Sequence, residues 1–488
     1  MKYLILVPDG AADVSVEGEK TPLEAARMQA INSLAERGRI GLVRTIPRGT
    51  APGSDAANLA VLGYDPKKDL TGRSPLEAVS MGIDLGERDV AFRVNLVTLA
   101  APAAPAAPAA HSAPEHSAPE HSAPYHGDGT FDRPGDAPYH GDGTFDRLGD
   151  DPYHGDGTFD RPGDDPYKSL IIVDHASGDI SDEEARELIE YLDAAIGSGD
   201  PENEGRVRFY PGVSYRNALV VRDGPKTGSG VGDVFAEYKD YALIPPHDIL
   251  DRQIGLYLPD KENEEYILGF MKKSYDLLKD HKVNKERIAK GLKPANSIWI
   301  WGEGVRPGLS PITEKYGVEG AVISAVDLIK GIGICAGLEP VKVEGATGTL
   351  LTNFKGKGEA AIEAFRRGKD LAYIHVEAPD ECAHQGNRAG KIESLERIDT
   401  DIVAPIHAWL EENREKHGEE YRILIVPDHR TPVVIRTHTD EPVPYVLYDS
   451  AAAAEGLFDI RNAFSERAAE AGEPVRSGRE LADRFFHA

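Results

Sequence analysis

The chain has 488 residues, 40% of them hydrophobic, and that length is too great for one ordinary hydrophobic core. Its formal net charge of −27 argues against nucleic acid and anionic membranes as partners. A small anionic substrate remains compatible with this charge, because metal ions and a few arginines can reverse the sign of the local field. We therefore expect two or more domains and no nucleic-acid or membrane partner.

The beginning of the chain predicts a cytoplasmic protein. Residues 4–7 form an apolar run that is too short for a signal sequence or a membrane span, and no basic segment or cleavage site accompanies it. The remaining sequence has no apolar stretch of membrane-spanning length. The two cysteines, Cys335 and Cys382, cannot form a disulfide framework, which is typical of a reducing compartment.

Strand-like and helix-like patterns alternate along most of the chain. Short apolar runs at residues 3–7, 297–301, 371–376 and 423–426 are typical of buried parallel strands. Amphipathic helical patterns lie between them, at residues 22–37, 323–332, 359–367 and 391–413. This alternation predicts an α/β fold with a doubly wound sheet.

The middle of the chain is predicted to form a second α/β domain. Residues 89–294 have strand-like runs of their own, so we expect them to be inserted into a core domain made of residues 1–88 and 295–488. Within the insert, residues 100–165 are an Ala-Pro run followed by repeated HSAPE and PYHGDGTFDRPGD units. This segment has few residues to bury and many Gly and Pro, which predicts a disordered loop. Its histidines leave weak metal binding as an alternative.

Acidic side chains follow three of the predicted strands, at the edge where functional groups collect in open α/β sheets. These acids and the histidines close to them in sequence are Asp9, Asp380, Asp428, His384, His429 and His438. Carboxylate oxygens mixed with imidazoles suit Mn²⁺, Zn²⁺ or Mg²⁺. Each acid alone is explained as a cap of the following helix, but three together favour a two-metal site.

Ser54 is the candidate nucleophile. It follows the Pro52-Gly53 turn and precedes an apolar helical pattern. A helix N-terminus favours an anion there, through free N–H groups and the helix dipole. The alternative is that Ser54 only caps the helix.

The segments around Ser54 closely resemble those of the archaeal-type 2,3-bisphosphoglycerate-independent phosphoglycerate mutases, in the alkaline phosphatase superfamily. The matching segments are PGSDAANL at 52–59, LGYDP at 62–66, TGRSPLEA at 71–78, AFRVNLVT at 91–98, FYPGVSYR at 209–216 and EAPDE at 377–381. The resemblance covers nearly the whole chain except the repeats, and it implies an alkaline phosphatase-like core. The bacterial members that the chain resembles include proposed homoserine kinases.

The resemblance implies an isomerase that interconverts 3-phosphoglycerate and 2-phosphoglycerate through a phosphoserine at two divalent ions, without 2,3-bisphosphoglycerate. Mn²⁺ is the expected metal, with Zn²⁺, Mg²⁺ and Co²⁺ as alternatives. Ser54 is implied as the nucleophile, and Lys315 as a catalytic lysine near the metals. The implied ligands are Asp9, Ser54, Asp428 and His429 for one ion, and Asp380, His384 and His438 for the other.

Four arginines are candidates for binding a small phosphorylated substrate, because the guanidinium fork suits phosphate and carboxylate: Arg73, Arg93, Arg208 and Arg216. A surface ion pair is the alternative for each. Asp179 and Asn217 stand where related sequences tend to have histidine. Both departures lie in the middle domain, which in this family grips the non-phosphate part of the substrate, and they leave the acceptor open.

Three other functions remain open. One is transfer of phosphate to another hydroxyl compound such as homoserine, although the chain has no G-x-x-x-x-G-K-[ST] loop. The second is a phosphatase or phosphodiesterase, in which water resolves the phosphoserine. The third is a degenerate enzyme whose His-rich repeats bind metal or a partner. The sequence predicts no oligomeric state.

Overall fold

The computed structural model describes residues 1–102, 165–203, 205–222, 241, 243–259, 265–454 and 463–487. The predicted disordered loop, residues 100–165, lies outside the described residues except at its two ends. Among the described helices, none is long and apolar enough to cross a membrane.

The chain forms two sheets and the helices that cover them. The strands are β1 (Lys2–Pro8), β2 (Arg39–Val43), β3 (Val90–Ala100), β4 (Ile171–Asp174), β5 (Val207–Val213), β6 (Arg216–Val221), β7 (Ser297–Val305), β8 (Gly320–Ile323), β9 (Glu339–Pro340), β10 (Leu371–Val376), β11 (Tyr421–Ile425) and β12 (Val443–Asp449). The first helices are α1 (Pro22–Ala25), α2 (Gln29–Arg37), α3 (Ser54–Val61), α4 (Pro66–Asp69), α5 (Ser74–Ser80) and α6 (Asp182–Ile196). The later helices are α7 (Glu265–Leu278), α8 (Lys282–Ala289), α9 (Ile312–Tyr316), α10 (Asp327–Cys335), α11 (Phe354–Arg366), α12 (Ala378–His384), α13 (Arg388–Arg397), α14 (Ala404–His417), α15 (Ser450–Ala454), α16 (Glu466–Glu470) and α17 (Gly478–His487).

The first sheet is mixed and mostly parallel, in the order β2-β12-β11-β1-β10-β8-β9. Strand β1 lies between β10 and β11 and is parallel to both, whereas β12 runs antiparallel to its neighbours. Alternate residues of β1 enter different core clusters, Ile5 and Val7 on one face and Leu4 and Leu6 on the other. Both faces are therefore buried by helices, which explains why the strands are continuous apolar runs. The prediction of an α/β fold is confirmed.

The second sheet is antiparallel and contains β4, β3, β6 and β5, with β7 paired along β3. Helices α6 and α7 contribute to its buried core. The prediction that residues 297–301 form a parallel strand is wrong, because β7 is antiparallel to β3 in this second sheet. An apolar run buried on both faces has the same pattern in either kind of sheet, so periodicity does not identify its partner. The division at residues 88/89 and 294/295 stays a prediction, and β7 lies after its second boundary.

The two sheets share part of one core. Ala91, Ala218 and Val220 of the second sheet belong to the same buried cluster as Ile5 and Val7 of β1. This packing holds the second sheet beside the first and leaves a cleft between them.

Candidate metal centre

The carboxyl ends of three neighbouring strands bring the predicted acids together. Asp9 directly follows β1, Asp428 follows β11, and Asp380 lies in the short helix α12 after β10. Two groups of side chains have ligand atoms within 4.8 Å of one another: Asp9, Asp428 and His429, and Asp380, His429 and His438. The structure therefore brings these five residues to one edge of the first sheet. Their roles as metal ligands stay predictions.

The first group places two buried carboxylates, Asp9 and Asp428, around one imidazole. His429 Nε2 lies 3.5 Å from both Asp9 Oδ1 and Asp428 Oδ2. Asp9 is buried, and its Oδ1 finds no hydrogen-bond partner among the described residues. Burial raises the pKa of Asp9 well above its usual value, and the carboxylates of Asp428 and Asp380 raise it further. A buried carboxylate in such surroundings is costly unless a cation accompanies it.

At the second group, the imidazoles of His438 and of the nearby His384 both approach the Asp380 carboxylate. His384 Nε2 lies 3.2 Å from Asp380 Oδ2, and His438 Nε2 lies 3.5 Å from Asp380 Oδ1. The two Nε2 atoms are 2.9 Å apart. His384 Nδ1 lies 2.9 Å from the carbonyl oxygen of Arg436, and His438 Nδ1 lies 3.4 Å from that of Pro52. A carbonyl oxygen can only accept a hydrogen bond. In the neutral imidazoles these contacts favour the proton on Nδ1, which would leave the Nε2 lone pair for a metal once the proton shared with Asp380 is displaced.

The contacts around Asp380 shift the pKa values of His384 and of Asp380 itself. The hydrogen bond with Asp380 raises the pKa of His384 to about 9. Burial alone would raise the pKa of Asp380, but hydrogen bonds from His384 and His438 hold it below its usual value. Asp9 Oδ1, which has no hydrogen-bond partner among the described residues, is a suitable ligand atom for one divalent cation. The Nε2 atoms of His384 and His438, which meet beside Asp380, are suitable ligand atoms for a second.

Ser54 lies beside this cluster at the start of α3. Its Oγ is 3.1 Å from His429 Nε2. The cap of α3 is Gly53, with no side-chain cap bond, so the alternative that Ser54 is the N-cap is wrong. Asn58 ties the helix to the centre, since its amide donates to Ser54 O at 2.8 Å and to Asp428 Oδ2 at 3.1 Å. The hydroxyl therefore faces the candidate metal ligands from a helix that is anchored to one of them.

A cleft of about 570 Å³ opens between the two sheets, and two of the predicted arginines line it. Arg93 pairs with Glu77, and its guanidinium lies 4.7 Å from the centre of the Trp301 ring. Arg216, on β6, is exposed in the same cleft. The cleft also includes Glu377, the residue before α12, so it reaches the helix that carries Asp380.

The other predicted binding residues lie elsewhere. Arg73 donates to Asp55 Oδ2 at 2.7 Å, so its guanidinium lies beside the residue that follows Ser54. Arg208 instead lines a separate cavity against α6 and lies 5.1 Å from the Tyr210 ring. Lys315 lies over the Tyr64 ring, just beyond the C-terminal end of α3, whereas Ser54 is the first residue of that helix. The structure does not bring Lys315 or Arg208 to the metal centre.

Comparison with known proteins identifies the family. A family model described as the metalloenzyme superfamily matches residues 1–474. The probable 2,3-bisphosphoglycerate-independent phosphoglycerate mutase of Geobacter sulfurreducens is 40% identical over 488 residues, which cover 100% of both chains. The 2,3-bisphosphoglycerate-independent phosphoglycerate mutase of Methanothrix thermoacetophila is 38% identical over 484 residues, 99% of this chain and 98% of that one. The chain belongs to the archaeal-type 2,3-bisphosphoglycerate-independent phosphoglycerate mutases.

Two solved structures share the fold of this phosphoglycerate mutase family member. The PH0037 protein from Pyrococcus horikoshii gives a TM-score of 0.68 at 22% identity, over 99% of this chain and 97% of that one. The cofactor-independent phosphoglycerate mutase from Thermoplasma acidophilum gives a TM-score of 0.57 at 22% identity, over 99% of this chain and 98% of that one. The two-sheet architecture is therefore found in solved proteins along the full length of the chain.

The two departures from the phosphoglycerate mutase pattern have different surroundings. Asn217 lines the cleft, where its side chain accepts from Gly212 N at 3.0 Å and donates to Tyr215 O at 3.0 Å. It thus holds the β5–β6 turn directly before Arg216. Asp179 is exposed, in a left-handed conformation after Gly178.

Sequence reasoning about this mutase missed polar residues within and behind the metal centre. His375, on β10, is buried with Nε2 3.0 Å from Asp9 Oδ2. Lys357 is buried and donates to His375 O at 3.0 Å, and burial lowers its pKa to about 8. Thr431 lies between Asp380 and His429. A histidine inside the apolar run LAYIHV was the one available signal, because Lys357 and Thr431 lie in ordinary helix and loop sequences.

Proposed function

We propose that this chain interconverts 3-phosphoglycerate and 2-phosphoglycerate through a phosphoserine at Ser54, at two divalent ions and without 2,3-bisphosphoglycerate. The observation that carries the proposal is the Ser54 hydroxyl, which faces His429 in a cluster of carboxylates and imidazoles. The full-length match to relatives named as phosphoglycerate mutases supports the choice of substrate.

Two ions would be shared among the residues at the sheet edge. We assign Asp9, Ser54, Asp428 and His429 to one ion and Asp380, His384 and His438 to the other, with Mn²⁺ as the expected metal. When bound, the ions lower the pKa of the Ser54 hydroxyl and neutralise charge on the transferred phosphoryl group. The mixed oxygen and nitrogen donors support this assignment.

The protein's own groups supply the nucleophile and hold the substrate in place. Ser54 Oγ attacks the phosphorus of 3-phosphoglycerate, the bond from phosphorus to the 3-oxygen of glycerate breaks, and that oxygen gains a proton as Ser54 loses one. The backbone N–H groups of Ser54 and Asp55, the first two residues of α3, would stabilise the phosphate oxygens, whereas that of Ala56 already donates to Asp55 Oδ1 at 2.8 Å. Glycerate then turns within the cleft, and its 2-hydroxyl attacks the phosphoserine, which restores Ser54. Glycerate must stay bound between the two steps, since water would otherwise hydrolyse the phosphoserine.

The cleft arginines are the groups that would hold glycerate. Arg216→Ala is expected to raise the KM for 3-phosphoglycerate about tenfold to a hundredfold, because hydrogen bonds to charged groups contribute about 1.5–3 kcal/mol. Arg208→Ala is the matched control, because Arg208 lies on the neighbouring strand but lines a different cavity. It should keep KM within about twofold. Steady-state kinetics of both variants test this, and equal effects would contradict the assignment of the cleft.

Turnover of 3-phosphoglycerate tests the function. Protein loaded with Mn²⁺ should form 2-phosphoglycerate with no 2,3-bisphosphoglycerate added, and chelation of the metal should abolish the reaction. Release of inorganic phosphate without 2-phosphoglycerate would contradict the proposal and indicate a hydrolase. A folded, metal-loaded protein that gives neither product would indicate another acceptor, which an assay with ATP and homoserine then examines.

A further inference from the structure

The hydroxyl of Thr431 lies between the two candidate ion sites. Thr431 Oγ1 donates to Asp380 Oδ1 at 2.6 Å and lies 3.1 Å from His429 Nδ1. Asp380 belongs to one assigned ligand set and His429 to the other. Thr431 itself is fully buried and has no assigned role in the proposed reaction.

The direction of these two hydrogen bonds follows from the single hydroxyl proton. The ionised carboxylate of Asp380 only accepts, so the Thr431 proton points to it. Thr431 Oγ1 must then accept from His429, which places the imidazole proton on Nδ1. His429 Nε2 is left with its lone pair facing Ser54 Oγ, Asp9 Oδ1 and Asp428 Oδ2. One hydroxyl therefore sets the tautomer of His429 and the orientation of Asp380.

The backbone of Thr431 is held from both sides. Its N–H donates to Ala12 O at 3.1 Å, and its carbonyl accepts from Lys391 Nζ at 2.8 Å. Lys391 is fully buried and also pairs with Asp13 Oδ2 at 2.9 Å. A buried ion pair of this kind is costly to break, so the Lys391 ammonium that binds the Thr431 carbonyl is itself held in place.

Gly10 provides the space that the Thr431–Asp380 contact needs. Its φ is +59°, which favours glycine. A Cβ at this position would lie 2.5 Å from both Thr431 Oγ1 and Asp380 Oδ1. The loop after β1 is thus shaped around the hydroxyl as well as around Asp9.

We propose that Thr431 is a positioning residue that couples the two ion sites, because its hydroxyl prepares a ligand of each for metal binding. The inference rests on the proposed two-metal function. Loss of a partner that orients metal ligands typically lowers metal affinity about 10–100-fold. Removal of this one hydroxyl should therefore weaken both binding steps.

Titration of the metal-free protein with Mn²⁺ tests the inference independently of turnover. Thr431→Val removes the hydroxyl at nearly constant shape and should weaken both binding steps about 10–100-fold. Thr431→Ser keeps the hydroxyl and should keep both affinities within a few-fold of wild type. Thr98→Val is the control for loss of a buried hydroxyl, because Thr98 donates to Pro294 O in the second sheet. It should bind both ions like wild type.

Each other outcome overturns the inference. Thr431→Val with unchanged affinity, or with only one weakened step, would show that the hydroxyl does not couple the sites. Thr431→Ser that loses both ions would show that the hydroxyl is not the determinant, even if Thr431→Val failed to fold. Wild-type protein that does not bind two ions would overturn the proposed function and this inference together, whereas the variant results concern the inference alone.

Discussion

Ser54→Ala is expected to lower mutase turnover by about 10⁴-fold or more, because loss of a nucleophile removes the covalent route. The same change should leave the free energy of unfolding of the metal-free protein within about 1 kcal/mol of wild type. Ser54 is the first helical residue of α3 and not its cap, and alanine is a good helix former there. Coupled assays of 2-phosphoglycerate formation and urea denaturation of the metal-free protein measure the two effects.

Ser181→Ala is the matched control for a serine at the start of a helix. Ser181 is the true cap of α6, since its side chain accepts from Glu184 N at 3.3 Å. Its loss should cost about 1 kcal/mol of stability and leave turnover unchanged. The two serines thus separate a chemical role from a capping role. Ser54→Ala that retained a tenth of wild-type turnover would show that another group receives the phosphate.

Asp9→Asn is expected to have opposite effects on the metal-free and metal-loaded protein. Asp9 is buried among Asp428, Asp380 and Glu377, so removal of its charge should stabilise the metal-free fold by about 1–2 kcal/mol. Metal at 100 times its dissociation constant should stabilise wild type by about 2.7 kcal/mol, and the variant should lose most of this gain. Urea denaturation with and without Mn²⁺ measures both changes.

Asp13→Asn is the matched control for Asp9→Asn, because it alters a buried aspartate four residues further along the same segment. Asp13 pairs with the buried Lys391 at 2.9 Å, so its neutralisation leaves an unpaired buried cation. We expect a loss of about 3–5 kcal/mol from the metal-free protein. If Asp9→Asn destabilised the metal-free protein, the interpretation that the Asp9 carboxylate destabilises the fold in the absence of a bound cation would be wrong.

The sequence predicted the centre because its elements obey a simple rule of parallel sheets. Asp9, Asp380 and Asp428 each follow an apolar run, and the runs form adjacent parallel strands. Their carboxyl ends must therefore meet at one edge. The placement of Ser54 beside His429 could not be read from that rule, because it depends on how α3 packs across the sheet.

Other features depended on contacts between residues far apart in the chain. β7 has the apolar pattern of a core strand, and only its pairing with β3 places it in the second sheet. Lys315 and Thr431 illustrate the same difficulty at the site. Lys315, in α9, lies beside Tyr64 beyond the C-terminal end of α3. Thr431 reaches Asp380 because Gly10 leaves room for it. The sequence around Lys315 or Thr431 therefore does not predict which distant residues each one contacts.

Capture of the phosphorylated protein tests the central claim most directly. Metal-loaded protein is mixed with 3-phosphoglycerate that is radiolabelled in its phosphate, quenched in acid within the first turnover, and digested for peptide mapping. The proposed mechanism predicts an acid-stable label on Ser54 and on no other residue. Label on a different side chain, or formation of 2-phosphoglycerate with no labelled protein, would contradict transfer through Ser54.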